Sequence, residues 1–190
     1  MSSKSSSTLS SGPLLLSGII LLAALSRLLP HPPNFSPVAA VALFGGAYFA
    51  NRSAALWIPL AAMLLSDIAL GLINGGIYAD YFLSAGFLLV YVCIAASTLL
   101  GFAMRGRVTA FRVLGYSLIG SLLFFLITNF GAWLGSSMYP QTAAGLLVAY
   151  EAGVPFFQNT VNGTLLYAIL MFGSFAWLRQ RNPGLSLQTA

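Results

Sequence analysis

Six apolar runs, separated by short polar or proline-rich stretches, account for most of the chain. A helix needs about 17–25 apolar residues to cross the hydrocarbon core of a bilayer, and all runs but the second have that length. The pattern predicts an all-α integral membrane protein, a six-helix transmembrane bundle. The runs are residues 13–29, 38–50, 53–73, 81–104, 113–134 and 154–178.

The composition also indicates a membrane protein. Hydrophobic residues make up 58% of the chain and charged residues 6%, against about 25% charged residues in soluble domains. We expect a single six-span membrane domain over residues 13–181, between a disordered, serine-rich cytoplasmic tail at 1–12 and a second cytoplasmic tail at 182–190. A cleaved secretory signal is the alternative for the first run, although that run is long for a signal core.

The basic residues predict the orientation of the bundle. With six spans and the N-terminus inside, Lys4 and six of the seven arginines lie on the inner side, and only Arg27 lies outside, with Asp80 and Glu151. Basic residues are enriched on the cytoplasmic side, so we expect both termini to be cytoplasmic in a multi-pass protein of the inner (cytoplasmic) membrane. This distribution of basic residues requires the short run 38–50 to cross the membrane, either tilted or extended by its flanking residues. The alternative is that the run is re-entrant.

Strongly polar side chains collect at one depth, in the outer halves of the spans and the outer loops. The loop at 30–37 contains four prolines and the only histidine of the chain. Polar side chains inside a membrane usually face a wet cavity or the bundle interior, so the pattern predicts an outward-facing substrate pocket. Its candidate binding residues are His31, Asn34, Asp67, Tyr81, Asn129, Trp133, Gln158, Asn159 and Asn162.

For most of these residues, a structural role is the alternative to substrate binding. Asp67 is either a substrate ligand or a structural group that is protonated or paired with Arg27 or a helix N-terminus. Asparagines within spans often bond neighbouring helices, and tryptophans often belong to the headgroup belt. No second histidine accompanies His31 and Cys93 is the only cysteine, so we expect no metal site and no cofactor.

Two further stretches carry structural predictions. Ala42, Gly46 and Ala50 recur every four residues, which places small side chains on one helix face and permits close helix packing. That face either packs within the chain or docks a separate membrane subunit. The stretch 135–153 is expected to be a long connection containing a short interfacial helix at 141–150.

Several classes of chemistry are missing from the sequence. There is no G-x-x-x-x-G-K-[ST] phosphate-binding loop and no H-E-x-x-H zinc motif, so the chain is not expected to hydrolyse ATP or to be an enzyme. No internal repeat of the kind found in many secondary transporters is evident.

A set of motifs resembles a family of small bacterial membrane proteins of unassigned function, itself similar to the S components of energy-coupling factor (ECF) vitamin transporters. The match covers residues 27–170. The motifs are Arg27-Leu28-Leu29-Pro30-His31-Pro32-Pro33-Asn34-Phe35-Ser36-Pro37, Ala42-Leu43-Phe44-Gly45-Gly46-Ala47-Tyr48-Phe49, Ser66-Asp67, Thr128-Asn129-Phe130-Gly131-Ala132-Trp133-Leu134 and Pro155-Phe156-Phe157-Gln158-Asn159-Thr160.

The resemblance implies a six-helix protein that captures a vitamin-like micronutrient on its outer side, under the first outer loop. It implies a transmembrane T subunit and two ATPase subunits as partners, although some S components work alone. Small residues of early helices dock the T subunit, a role that would fall to Ala42, Gly46 and Ala50. A corrinoid-binding type uses a pocket cysteine, which Cys93 does not match in depth. This chain has Asn162-Gly163 where relatives have Gly-Asp, so no substrate is transferred.

Three hypotheses follow for function. The first is a substrate-binding membrane transport protein for uptake of a small micronutrient, and it predicts a closed outer pocket. The second is a non-transporting membrane scaffold or assembly protein, in which the same polar residues only pack helices. The third is a membrane enzyme, which needs His31 and Asp67 within hydrogen-bond reach of each other.

Overall fold

The computed structural model describes residues 11–75, 82, 84–135, 137–182 and 184–185, and all regular structure in these residues is helical. The structure confirms the predicted all-α class and the six helices. Five of them, counting Ser11–Leu28 as one, are long and apolar enough to cross a membrane. The helices are α1 (Ser11–Leu25, extended by the 3₁₀ turn Ser26–Leu28), α2 (Val38–Tyr48), α3 (Arg52–Asn74), α4 (Ala85–Phe102), α5 (Ala110–Gly135) and α6 (Ala143–Arg181).

Capping side chains fix where three of the helices begin. The Asn51 side chain accepts hydrogen bonds from the backbone N–H groups of Ser53 and Ala54 at the start of α3. Ser84 caps α4 in the same way, and Thr142 caps α6. Each cap satisfies backbone donors that have no partner within the helix, so these boundaries follow from local sequence.

Helix α2 lies at the centre of a ring formed by the other five. It contacts all of them, and around the ring α1 packs on α3, α3 on α4, α4 on α5, α5 on α6 and α6 on α1. Every residue of α2 is buried. A helix that is apolar on all sides requires apolar neighbours on all sides, and the surrounding helices provide them.

Contacts between helix ends show how α2 runs. Arg27, just after α1, pairs with Asp67 near the end of α3, so α1 and α3 run in the same direction. Arg105, just after α4, bonds the Gly46 and Phe49 carbonyls at the end of α2. Helix α2 therefore returns the chain across the bundle between α1 and α3. We call the end with Arg52, Arg105 and Arg179 the arginine end, and the opposite one the proline-loop end.

The predicted second span, 38–50, is a half-length helix. At 1.5 Å per residue α2 covers only about 16 Å, roughly half of a hydrocarbon core of about 30 Å. Its first turn packs on the middle of α5, where a Cβ on Gly120 would lie 3.7 Å from the Ala39 Cβ. About 22 Å of α5 continues beyond Gly120 toward the proline-loop end. The loop at 29–37, which precedes α2, spans the remaining distance between the proline-loop end and the start of α2.

The closest helix contact lies between α2 and α4. A Cβ on Gly46 would meet the Thr98 carbonyl oxygen and lie 2.9 Å from the Gly101 Cα. Ala42 is fully buried as well. These two small residues therefore pack within the chain in this conformation. Ala50, which is exposed, lies in the turn between α2 and α3.

We expect Gly46→Ala to lower the free energy of unfolding by about 1–3 kcal/mol, the usual cost of overpacking a filled core. The added methyl group has backbone atoms of α4 in its way, and backbone cannot rotate aside. Gly115→Ala is the matched control, because nothing lies within 4 Å of a Cβ there. Unfolding in a graded series of detergent mixtures measures both variants. Equal stability of the two proteins would contradict the contact.

The predicted long connection at 135–153 is wrong. Helix α6 is continuous from Ala143 to Arg181 and includes Pro155, so the connection to α5 spans only residues 136–142. The Trp133 indole donates to the Pro140 carbonyl at 2.9 Å, and the Gln141 amide donates to the Trp133 carbonyl at 2.7 Å. These bonds close the hairpin tightly. With 39 residues, α6 is about 58 Å long, almost twice the hydrocarbon thickness.

Candidate functional site

The loop at 29–37 is held in place by α6. The Asn159 side chain donates to the Pro33 carbonyl at 3.0 Å, and the Phe35 ring lies 6.3 Å from the Tyr167 ring. A Cβ on Gly163 would lie 2.7 Å from the Ser36 nitrogen, so only glycine permits this approach. Asn34 has a φ of 62°, a left-handed conformation that asparagine tolerates better than most residues. The loop therefore has a defined shape against α6.

Asp67 is the centre of a polar cluster that joins three helices. Its Oδ1 accepts from the Arg27 Nη1 at 2.5 Å, and its Oδ2 accepts from the Tyr91 hydroxyl of α4 at 2.8 Å. The Arg27 and Asp67 side chains are only 18% and 13% exposed. Arg27 Nη1 also donates to the hydroxyl of the buried Ser66 at 3.2 Å. Of the alternatives for Asp67, the structure contains the pairing with Arg27.

Asn129 lies where α5 and α6 are close together. Its amide donates to the Phe125 carbonyl of its own helix at 2.8 Å. A Cβ on Gly153 of α6 would lie 2.7 Å from the Asn129 Cγ, so the side chain is packed against α6. Trp133, one turn further on, donates to the α5–α6 connection. In this conformation, both side chains make contacts within the hairpin formed by α5 and α6.

The remaining predicted site residues are dispersed. Gln158 and Asn162 are exposed on α6, and His31 is exposed with its Nδ1 3.0 Å from the Pro32 carbonyl. Tyr81 lies outside the described residues. No hydrogen bond or ion pair joins His31 to Asp67 within the described ranges, so the geometry required for the enzyme hypothesis is not formed. In the described part of the chain, no three His, Cys, Asp or Glu side chains are placed to hold a metal ion.

Beyond the start of α2, burial of the ring helices is uneven: Ser66, Gly131 and Thr160 are buried, and other residues are only partly covered. On α5, the inward residues Ser117, Gly120 and Ser121 are buried beside α2. The next residues on that face, Phe124 and Thr128, are half-buried. Tyr91 of α4 also packs on the core yet remains half-buried. We call the region around Tyr91, Phe124, Thr128 and the loop at 29–37 the vestibule.

Sequence reasoning missed the residues that organise this end of the bundle. Tyr91 and Tyr167 were not singled out, yet Tyr91 holds Asp67, and the Tyr167 and Ser26 hydroxyl oxygens lie 2.6 Å apart. A tyrosine in the interior of an otherwise apolar span is the available signal, because its hydroxyl needs a hydrogen-bond partner when buried. Thr128 was a weaker signal for a polar site, because a threonine hydroxyl can also donate to a carbonyl of its own helix. Here the Thr128 hydroxyl donates to the Phe124 carbonyl.

A profile of a family of unknown function, DUF6580, matches residues 7–185, nearly the whole chain. The chain belongs to DUF6580. No curated protein and no solved structure matches it. For this DUF6580 protein, the similarity to S components of ECF transporters therefore stays a prediction from its motifs.

Proposed function

We propose that this DUF6580 protein is a substrate-binding membrane transport protein for uptake of a small, partly polar micronutrient. The observation that carries the proposal is the half length of α2. This helix occupies the centre of the ring only toward the arginine end, and we infer that room for a ligand remains at the vestibule. Ligand sites in helical bundles lie between helices and combine apolar walls with a few polar groups. The vestibule residues have this mixed character, with the apolar side chain of Phe124 and the hydroxyl groups of Thr128 and Tyr91.

The polar cluster gives the vestibule a rigid wall. Both carboxylate oxygens of Asp67 have partners, so we assign Asp67 the role of holding Tyr91 and Arg27 rather than of contacting substrate. Arg27 uses its Nη1 for both of its described hydrogen bonds. A guanidinium group has five N–H donors, so Arg27 retains donors for a ligand with acceptor atoms.

The mode of transport is proposed from the resemblance. The protein lacks a nucleotide-binding motif, so energy from ATP would come from a T subunit with two ATPase subunits, or the protein would act alone. The basic residues of the arginine end would be cytoplasmic, with both termini inside and the vestibule facing out from the inner membrane. Because Ala42 and Gly46 are buried, a T subunit would have to use other surfaces, among which the exposed Ala50 remains a candidate.

A helix-packing scaffold is the second candidate function. The observation in its favour is that Asp67 and Asn159 already have partners within the chain. If the polar groups serve only to join helices, the vestibule is filled by lipid or water and selects no solute. The two functions differ in whether a small molecule binds beside Thr128.

We expect Thr128→Val to weaken ligand binding about tenfold or more, the effect of 1.4 kcal/mol, because one hydroxyl of the vestibule is lost. Thr98→Val is a closely matched control. Both threonines donate to the carbonyl four residues earlier, at 2.8 and 3.0 Å, but Thr98 is fully buried beside α2. Native mass spectrometry of gently purified protein would identify a retained small molecule, and thermal shifts with a panel of vitamins would follow its affinity.

A ligand that is retained by wild type and Thr98→Val but lost from Thr128→Val supports the transport proposal. Wild-type protein that carries no small molecule and shows no thermal shift with any vitamin supports the scaffold. Equal ligand retention by both threonine variants would place the binding site elsewhere and contradict the assignment of the vestibule.

A further inference from the structure

A large apolar cleft lies toward the arginine end of the bundle, whereas the vestibule lies toward the proline-loop end. Its volume is about 520 Å³, within the range of about 300–1,000 Å³ that is usual for ligand sites. It separates the first turns of α5 from the second half of α6, and Tyr48 at the end of α2 forms part of its inner wall. Most of its lining is aliphatic, including Val113, Leu165 and Ala168.

The cleft faces the surface that the membrane would cover. Leu114 of α5 and Ile169 of α6 both line it, and these side chains are 45% and 69% exposed. Both lie in helices long and apolar enough to cross a membrane. An opening flanked by exposed aliphatic side chains at this depth admits hydrocarbon rather than water.

Arginines flank the cleft where it reaches the end of the bundle. The Arg179 guanidinium carbon lies 5.7 Å from the centroid of the Tyr48 ring. Arg107 is exposed and adjoins Val108, which lines the cleft. The Arg112 backbone N–H donates to the hydroxyl of Thr109, another lining residue. No acidic residue lies among the described residues that line the cleft, and the charged side chains next to its lining, Arg107 and Arg179, are both basic.

We propose that this cleft binds an anionic membrane phospholipid, with one acyl chain between α5 and α6 and the headgroup phosphate at Arg107 and Arg179. The apolar walls fit the chain, and the cationic rim complements the headgroup. Basic pockets between transmembrane helices are known to bind anionic lipid headgroups. The site is separate from the vestibule and does not depend on the proposed transport function. The bound lipid fills the gap between two helices that contact each other closely only nearer the proline-loop end.

Gly173 permits a direct test, because it lines the cleft and nothing lies within 4 Å of a Cβ at this position. In Gly173→Leu the new side chain would occupy the space assigned to the acyl chain. Gly115→Leu is the control: Gly115 also has open space around it but does not line the cleft. Ala176→Leu, at another lining position, is the second filling variant if Gly173→Leu does not fold.

The experiment is native mass spectrometry of protein released from bilayers that contain equal amounts of phosphatidylglycerol and phosphatidylcholine. We expect wild type and Gly115→Leu to retain one phosphatidylglycerol, and Gly173→Leu to retain about tenfold less, equivalent to 1.4 kcal/mol. Arg107→Gln should reduce the preference for phosphatidylglycerol about fivefold, the effect of one basic residue near a lipid surface. Arg181→Gln, whose guanidinium carbon lies 4.1 Å from the Trp177 ring centroid, is the charge-matched control.

Unchanged phosphatidylglycerol retention by folded Gly173→Leu or Ala176→Leu would overturn the proposal. So would equal retention of the two lipids by wild type, since the rim would then select nothing. A wild-type dimer that Gly173→Leu converts to a monomer would show that a second copy of the chain covers the cleft, which also overturns the lipid assignment.

Discussion

Asp67→Asn is expected to lower the free energy of unfolding by about 3–5 kcal/mol, the usual cost of breaking a buried ion pair by removing one partner. The substitution keeps the size of the side chain and removes its charge. Arg27 would then be left as a mostly buried cation, since its side chain is only 18% exposed. The cluster joins α1, α3 and α4, so the loss should be visible in global unfolding. Unfolding in graded detergent mixtures, followed by circular dichroism, measures it.

Two further variants separate charge from packing. Arg27→Gln with Asp67→Asn removes both charges, and this double variant should be more stable than Asp67→Asn alone, because no unpaired charge remains. Tyr91→Phe removes a single hydroxyl group that donates to Asp67, which should cost about 1.5–3 kcal/mol, as expected for a hydrogen bond to a charged group. A normally stable Asp67→Asn protein that no longer binds substrate would contradict the structural role and return Asp67 to the substrate ligands.

The sequence was sufficient to predict the helices but not their arrangement around α2. Run lengths are a local signal, and they located most helix boundaries. The caps Asn51 and Thr142 are local signals too, but the predicted runs did not use them. A fully apolar run such as 38–48 does not distinguish a helix surrounded by lipid from one surrounded by protein. Its short length was the clue, because a helix of about 16 Å must depend on neighbouring segments to complete a crossing.

The error at α6 has a physical cause. The prediction separated an interfacial helix at 141–150 from a last span at 154–178, whereas one helix covers both and includes Pro155. Proline is tolerated within membrane helices where neighbouring groups compensate for the lost hydrogen bond, and here α5 runs beside α6 through this region. The Phe125 ring of α5 lies 4.9 Å from the Phe157 ring and 5.7 Å from the Tyr150 ring. Contacts between helices therefore overrode the local signals.

The sequence predicts a depth for the candidate site, but it does not specify which polar side chains pair with one another. Polar residues at one level of the bundle did indicate the proline-loop end, where Asn159 meets the loop. The pairing of Asp67 with Tyr91 joins residues on two different helices, and helix rotation about its axis decides which side chains meet. A rotation of one residue, about 100°, would have replaced Tyr91 by its neighbours, and a single sequence does not specify that angle.

Arg105→Ala is expected to lower the free energy of unfolding by about 2–5 kcal/mol, because two partly buried carbonyl groups lose their donor at about 1–3 kcal/mol each. Arg105 donates from Nε to the Gly46 carbonyl at 2.9 Å and from an Nη to the Phe49 carbonyl at 2.6 Å. The last carbonyls of a helix have no partner within it, and a cation there also interacts favourably with the helix dipole. Arg105 therefore fixes the end of the central helix.

The environment of Arg105 shows that its position has an energetic cost. Burial, and secondarily the nearby Arg52 guanidinium, lowers the pKa of Arg105 from its usual value. The two carbonyl bonds offset this cost, together with the Phe102 ring, whose centroid lies 4.3 Å from the guanidinium carbon. Arg105→Lys should recover only part of the stability, since an ammonium group does not have the planar fork that reaches both carbonyls.

Arg112→Ala is the matched control for Arg105. Arg112 also donates to two backbone carbonyls, those of Ala103 and Arg107 at 3.0 and 3.1 Å, but these bonds lie at the surface and within one short loop. Removing them should cost less than about 1 kcal/mol, because water replaces the lost donors. Equal losses for Arg105→Ala and Arg112→Ala would mean that charge at the arginine end matters rather than the capping of α2. A much larger loss for Arg105→Ala would show that the half-length central helix depends on a cap supplied by α4.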